Sequence, residues 1–225
     1  MKQNSENPFF GTYQTPFGTP PFDQIKTAHY EPAFDEGIRQ LDEEIRGIAD
    51  NPEPPTFENT IVALERSGRL LDKVSSAFFN VLNAEADDEM MEISQRVSPK
   101  LSDSSNNIYL NEKLFTRVKS IYGQKEMLHL STEDARLLEE TFEAFSVRGA
   151  ALNPEDKEKY RKLSSELSRL SLTFDQNALK DKNRYELLLT KEEELEGLPE
   201  SIREAAALRA KEKGKAGWKS EAKRS

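Results

Sequence analysis

The sequence predicts an all-α protein, mainly antiparallel helical hairpins packed as a bundle, with one short strand near residues 185–190. Three observations lead there. Apolar residues recur at steps of three, four or seven in several long segments, the period of one face of a helix. Start signals precede those segments at Thr56, Asp87 and Asp88, Ser131, and Asn153 with Pro154. The links are short, which favours antiparallel neighbours.

The chain is expected to divide into an arm over 1–22, a helical domain over 23–181, a strand plus helix over 182–218 and a polar tail over 219–225. From Asn7 to Phe22 there is no lysine, arginine, aspartate or glutamate but much proline, glycine and phenylalanine. Proline fixes φ and removes backbone donors, so this is an extended arm. Phe9, Phe10, Phe17 and Phe22 are expected to dock on the helices that follow. A proline-rich ligand for another protein is the rival reading, weakened because the prolines lack polyproline spacing.

Phe34, Ile38, Leu41, Ile45 and Ile48 step by four, three, four and three, giving a helix over about 31–50 that Asn51 and Pro52 stop. Thr56 then caps a second helix over about 57–86, with Asn59 three residues on as a weak capping box. Its stripe is Ile61, Leu64, Leu71, Val74, Phe78 and Val81, with Gly68 in the one gap. A third helix carries Met90, Ile93, Val97, Leu101 and Ile108, with a kink expected at Pro99. Leu114, Val118 and Ile121 mark a fourth, ending near Gly123. Ala135, Leu138, Phe142 and Phe145 mark a fifth, ending at Gly149.

Tyr160, Leu163, Leu167, Leu170 and Phe174 form the cleanest heptad-like seam, on a helix from Pro154 to about Lys180. A core helix is the preferred reading of that seam, with Leu167 inside. A coiled-coil homodimer is the rival, over too few heptads. Tyr185 to Thr190 reads as a strand, Glu192 to Glu194 as a solvated turn, and about Pro199 to Lys213 as a last helix.

Charge and composition exclude several functions. Hydrophobic residues at 36% and charged ones at 32% fit a helix-rich protein that is soluble by composition, and a net charge of −9 argues against a nucleic-acid partner. From Lys211 onward six basic residues outnumber Glu212 and Glu221, a stretch read as a solvated tail. With no cysteine, disulfides and thiol chemistry are excluded. The opening lacks an apolar signal core and no apolar run is long enough to span a membrane, so a cytoplasmic location is the default expectation; a signal peptide already removed would leave the same sequence.

No catalytic, cofactor-binding or metal-binding residue is nominated. His29 and His129, the two histidines, lie a hundred residues apart on different expected elements, without the spacing of a zinc pair. Gly-rich phosphate loops and nucleophile elbows are absent. Adjacent carboxylates such as Glu43 with Glu44 and Glu139 with Glu140 point about 100° apart on a helix and are read as solvated faces.

Three ordered blocks carry a family resemblance: FDQIKTAHYEPAFDEGI from Phe22, NPEPPTFENTIVALERSGRLLDKVSSAFFNVLNAEADDE from Asn51, and IYLNEKLFTRV from Ile108. The chain up to Trp218 resembles the N-terminal region of bacterial dipeptidyl carboxypeptidases, within the thimet oligopeptidase and neurolysin family of zinc metallopeptidases. The family's H-E-x-x-H motif is nowhere in these residues. The resemblance implies one helical wall of a deep channel that admits short oligopeptides, with zinc held by a catalytic region outside this chain. It implies a parent enzyme that removes dipeptides from a free C-terminus, while the chain alone carries no zinc and no activity. In the resembling enzymes the segment after Gly217 and Trp218 continues as an apolar strand. Here polar KSEAKRS follows, so the chain is expected to be a shortened copy in which Tyr185 to Thr190 has lost its mate. A non-catalytic helical interaction module is the alternative.

Overall fold

Helix α1, Thr27–Ala49, is the spine on which two cores are built. The structure, a computed structural model, describes residues 7–85, 87–184 and 186–221. Along α1 follow a π-turn at Phe57–Val62, the single turn α2 at Ala63–Glu65, α3 at Arg69–Glu85, α4 at Asp88–Tyr109, α5 at Glu112–Tyr122 and α6 at Thr132–Val147. Then come α7 at Pro154–Arg184, strand β1 at Glu186–Leu189, α8 at Glu200–Glu212 and strand β2 at Trp218–Glu221. The described chain is mostly helical, as its periodicity predicts. It divides into two compact units at Leu170 and Ser171.

In the first unit, the N-terminal half of α1 supplies Tyr30, Ala33 and Phe34 to one core, with Val74, Ala77 and Phe78 of α3 and Met90, Ile93 and Val97 of α4. Phe9 from the arm completes it. Its rings meet in a chain, Phe9 on Tyr30 at 5.4 Å, Tyr30 edge-on to Phe78 at 5.0 Å and Phe78 edge-on to Phe34 at 5.3 Å, which adds ring-quadrupole attraction to simple burial. The C-terminal half supplies Leu41, Ile45 and Ile48 to a second core with Ile61, Leu114, Val118, Ile121, Leu138 and Phe145. Between the two, Gly37 lets α3 close in: a Cβ there would lie 3.0 Å from the Leu71 Cα.

The expected helix over 57–86 is interrupted. Thr56 and Asn59 do form a reciprocal capping box, the Asn59 N–H donating to Thr56 Oγ1 at 3.1 Å and the Thr56 N–H to Asn59 Oδ1 at 2.9 Å. The helix then breaks at Gly68, whose φ of 77° lies in the left-handed region. Its N–H donates to Glu44 Oε2 of α1 at 2.7 Å, which satisfies a donor at the new helix start. The gap in the apolar stripe is therefore a hinge point between two helices.

Arg117 on α5 fastens this corner from below. Buried, and with no carboxylate at ion-pair distance among the described residues, it donates from Nε to Thr60 Oγ1 at 3.2 Å, from Nη1 to the Asn51 and Glu53 carbonyls at 3.0 Å each, and from Nη2 to Asn59 Oδ1 at 3.0 Å. The planar fork thus ties the short link to the capped turn.

Other starts follow the sequence. Asp87 caps α4 through Met90 N, Asn111 caps α5 through Leu114 N, and Ser131 caps α6 through Asp134 N. Helix α1 begins at Thr27, four residues before expectation, and runs through Pro32 at its sixth position. Pro99 lies within α4, which is helical on both sides of it.

The arm is docked by fewer aromatics than expected. Phe9 is buried and Phe10 packs partly, whereas Phe17 and Phe22 are exposed. Polar contacts do the rest. Lys73 Nζ donates to the carbonyls of Phe9 at 2.9 Å and Gly11 at 2.6 Å and sits 3.7 Å from the Tyr13 ring centre, while Asn7 Nδ2 donates to the His29 carbonyl at 2.8 Å. Desolvation, and then the neighbouring Tyr30, push the Tyr13 phenol up to about 12.

The second unit corrects the expectation of an orphaned strand. β1 pairs antiparallel with β2, Leu187 opposite Ser220, Leu188 opposite Lys219 and Leu189 opposite Trp218. Tyr185 lies outside the described residues, as do residues 222–225 of the expected tail. A strand needs backbone donors and acceptors rather than apolar side chains, so a polar segment serves. Lys219, expected in a solvated tail, is 0% exposed, its Nζ 2.7 Å from Glu186 Oε1. Lys215 Nζ lies 2.6 Å from the other Glu186 oxygen. Hydrogen bonds from Lys215 first and Lys219 second hold the Glu186 carboxyl down to about 2. Gly217, at φ 105°, leads into β2; a Cβ there would collide with the Leu189 carbonyl oxygen. Apolar burial here is slight, limited to groups such as Leu195, Ala206 and Ala210.

Candidate functional site

The two histidines have local duties. His29 Nδ1 accepts the Lys26 N–H at 3.0 Å and so caps the start of α1. His129 is exposed on a loop with φ of 47°. Among the described residues no group of three or more histidine, cysteine, aspartate or glutamate side chains could hold a metal ion. A catalytic zinc centre takes three protein ligands and leaves an open position, and the described residues bring no such set together.

The surface that stands out is on α7. The cleanest apolar seam of the sequence does not enter the core: Leu163 is 67%, Leu167 65% and Phe174 72% exposed, and Leu170 is exposed as well. Expecting Leu167 inside was wrong, because the other stripe of the helix is the one that packs. Lys157 Nζ donates to Glu112 Oε1 at 2.9 Å, Arg161 Nη1 to Asn107 Oδ1 at 2.9 Å, and Ser165 Oγ to Asp103 Oδ1 at 3.1 Å. Ser164 and Ser102 hydroxyls meet at 3.5 Å. These partners lie along α4 and at the start of α5.

Hence α7 is held by polar pairs on one side and offers its apolar stripe to the other. A single exposed leucine needs no explanation, but a run on one helical stripe has the character of an interaction surface. Lys157, Arg161, Ser164 and Ser165 follow a helical period too, so periodicity alone does not tell which stripe of the helix packs. Small serines facing Ser102 and Asp103 were the available signal.

Among the described residues no helix is long and apolar enough to cross a membrane.

Comparison with known proteins supplies the rest. No family model matches the chain. It is 40% identical over 208 residues to the dipeptidyl carboxypeptidase of Escherichia coli, covering 92% of this chain and 30% of that protein. The Salmonella typhimurium dipeptidyl carboxypeptidase is 39% identical, over 93% of this chain and 31% of that protein. Oligopeptidase A of Haemophilus influenzae is 29% identical, over 90% and 30% respectively. The resemblance seen in the sequence blocks therefore extends along nearly the whole chain, which is homologous to a segment of the dipeptidyl carboxypeptidases and oligopeptidases A and spans about three tenths of their length.

Proposed function

We propose that this chain is the N-terminal helical region, one channel wall, of a zinc metallopeptidase that releases dipeptides from the free C-terminus of oligopeptides. The observation that carries the reading is the 40% identity to a dipeptidyl carboxypeptidase across 92% of the chain. Zinc and its ligands belong to a catalytic region outside these residues, and the chain by itself neither binds zinc nor cleaves peptide. The outward stripe of α7 supports the reading, since a helix held by its polar side and apolar on the other suits a second protein region packed over it. The partners are accordingly that catalytic region and the oligopeptide substrate.

The test combines the chain with the part of the Escherichia coli enzyme that it does not match. Expected are a stable complex and zinc-dependent dipeptide release, with neither from the chain alone. Stoichiometric, dialysis-resistant zinc in the pure chain, or dipeptides released by it, would overturn the reading of an inactive wall. Failure to associate would overturn the partnership. The outward stripe also favours a second reading, a non-catalytic interaction module, which is the conclusion if the chain captures helical partners but never supports hydrolysis.

A further inference from the structure

We propose that the uncharged arm of one copy of this chain docks on the same arm of a second copy, each Phe17 ring entering a recess built by the other's arm. Ring and recess belong to one short stretch of chain, so a two-fold axis makes both contacts together and closes the assembly at two copies.

Phe17 is presented by a closed turn. Its φ of 59° and ψ of 14° lie in the left-handed region, a conformation that costs a bulky residue free energy, and Gly18 follows at φ 65°. The turn is tied on both sides of the ring. The Gly18 N–H donates to the Thr15 carbonyl at 3.0 Å and the Thr19 N–H to the Pro16 carbonyl at 3.3 Å. Thr19 Oγ1 donates to the same Pro16 carbonyl at 3.1 Å, and the Thr15 hydroxyl donates to the Thr19 carbonyl. The ring is wholly exposed, while Phe9 of the same arm is buried. An aromatic already fixed in place loses little freedom when a partner covers it, which is the property of an interface anchor.

The recess has a volume of about 540 Å³ and is lined by Pro8, Phe10, Tyr13 and Pro21 together with polar groups such as Gln14 and Gln24. None of the described residues that line it is charged, and Phe17 of the same chain is not among them. Proline and aromatic surface is what a phenyl ring packs against. Other recesses of the first unit suit it less. One that shares Phe10 and Gly11 brings Glu36, Arg69 and Lys73, and one between α1 and α4 brings Asp35, Asp42, Lys100 and Asp103, ions that an entering ring would strip of water. Charge also selects a second copy as the occupant. With a net charge of −9 two chains repel, and Asn7 to Phe22, without a lysine, arginine, aspartate or glutamate, is a stretch on which they can meet without like-charge contacts.

The experiment is sedimentation velocity on the 225-residue chain from micromolar to millimolar concentration. Expected is a reversible monomer-to-dimer equilibrium that tightens as salt is raised, because salt screens the repulsion between acidic chains and leaves the apolar contact intact. Phe17→Ser should weaken it at least about tenfold at an unchanged melting temperature, since the ring is wholly exposed in the single chain. Gln14→Glu combined with Gln24→Glu, at two exposed positions, should weaken it by a similar factor by setting charge against the entering ring. Each of these variants alone lacks both reciprocal contacts, whereas a mixture of the two keeps one, so the mixture should associate more tightly than either. Leu167→Asp, on the exposed stripe of α7, should leave the equilibrium unchanged. A chain that stays monomeric at every concentration, a dimer indifferent to Phe17→Ser, a mixture no tighter than its components, or a dimer lost with Leu167→Asp would overturn the proposal. None of these outcomes depends on dipeptide release, so the peptidase reading stands or falls separately.

Discussion

Helices α1 and α7 carry apolar stripes of the same period and opposite fate. In α1 Phe34, Leu41, Ile45 and Ile48 are buried between neighbours on both sides, whereas in α7 Leu163, Leu167, Leu170 and Phe174 face outward. A hydrophobic period reports that a face wants cover. Which face receives it within a given chain depends on what the opposite face can bond. The polar stripe of α7 finds Glu112, Asn107 and Asp103 at hydrogen-bond distance, and that decides its orientation.

The contrast can be broken most directly at the aromatic chain beside α1. Phe78→Ala should cost about 3–5 kcal/mol, since the ring is fully buried among Tyr30, Phe34 and Phe79, and a fall in the chemical-denaturation midpoint is the readout. A loss below about 1 kcal/mol would mean that this core is loosely packed. Arg117→Ala should cost about 2–3 kcal/mol by leaving the Asn51 and Glu53 carbonyls without their charged donor. Faster amide exchange around residues 51–60 should accompany it; global loss without that local signature would count against the stapling role.

The second unit offers a third comparison, a structure held by charge more than by apolar area. The Glu186 carboxyl is held down to about 2 in the folded unit, below its ordinary value near 4.5. A depressed carboxylate stabilises fully above the unfolded pKa and ceases to do so as pH falls through the folded one. Pairing of β1 with β2 should therefore weaken between about pH 4.5 and pH 2, seen as rising amide exchange at Leu187 to Leu189, and Glu186→Gln should remove that dependence. A pH-independent exchange rate in the natural chain would end this account. The smallest effect is expected at Leu167→Asp. On an exposed helical position it should change stability by about 0.5 kcal/mol or less, and a drop of several kcal/mol would return the seam to the interior.

Helix starts were legible in the sequence because caps are local: Thr56, Asp87, Asn111, Ser131 and Asn153 each bond an N–H three residues ahead. Of these, Asn111 had not been singled out. The break at Gly68 was visible only as a gap, since its cause is a carboxylate 24 residues away. Arg117 was not legible at all, because half of its acceptors are backbone carbonyls, which every residue has, and the other half are neutral side chains far away in sequence. The β1–β2 pair was missed through reading strand capacity from side chains; Lys219 pairs by its backbone and buries its stem while its ammonium reaches Glu186.

The β1–β2 ladder also sets an order of events on the ribosome. Residues 186–189 cannot find their mates until residues 218–221 have been made and have cleared the exit tunnel, whereas the helices that surround the two cores of the first unit are complete well before that. The earlier unit can therefore condense while synthesis continues, and the later one must wait with its loop open, paying the closure entropy of everything between Leu189 and Trp218 in one late step.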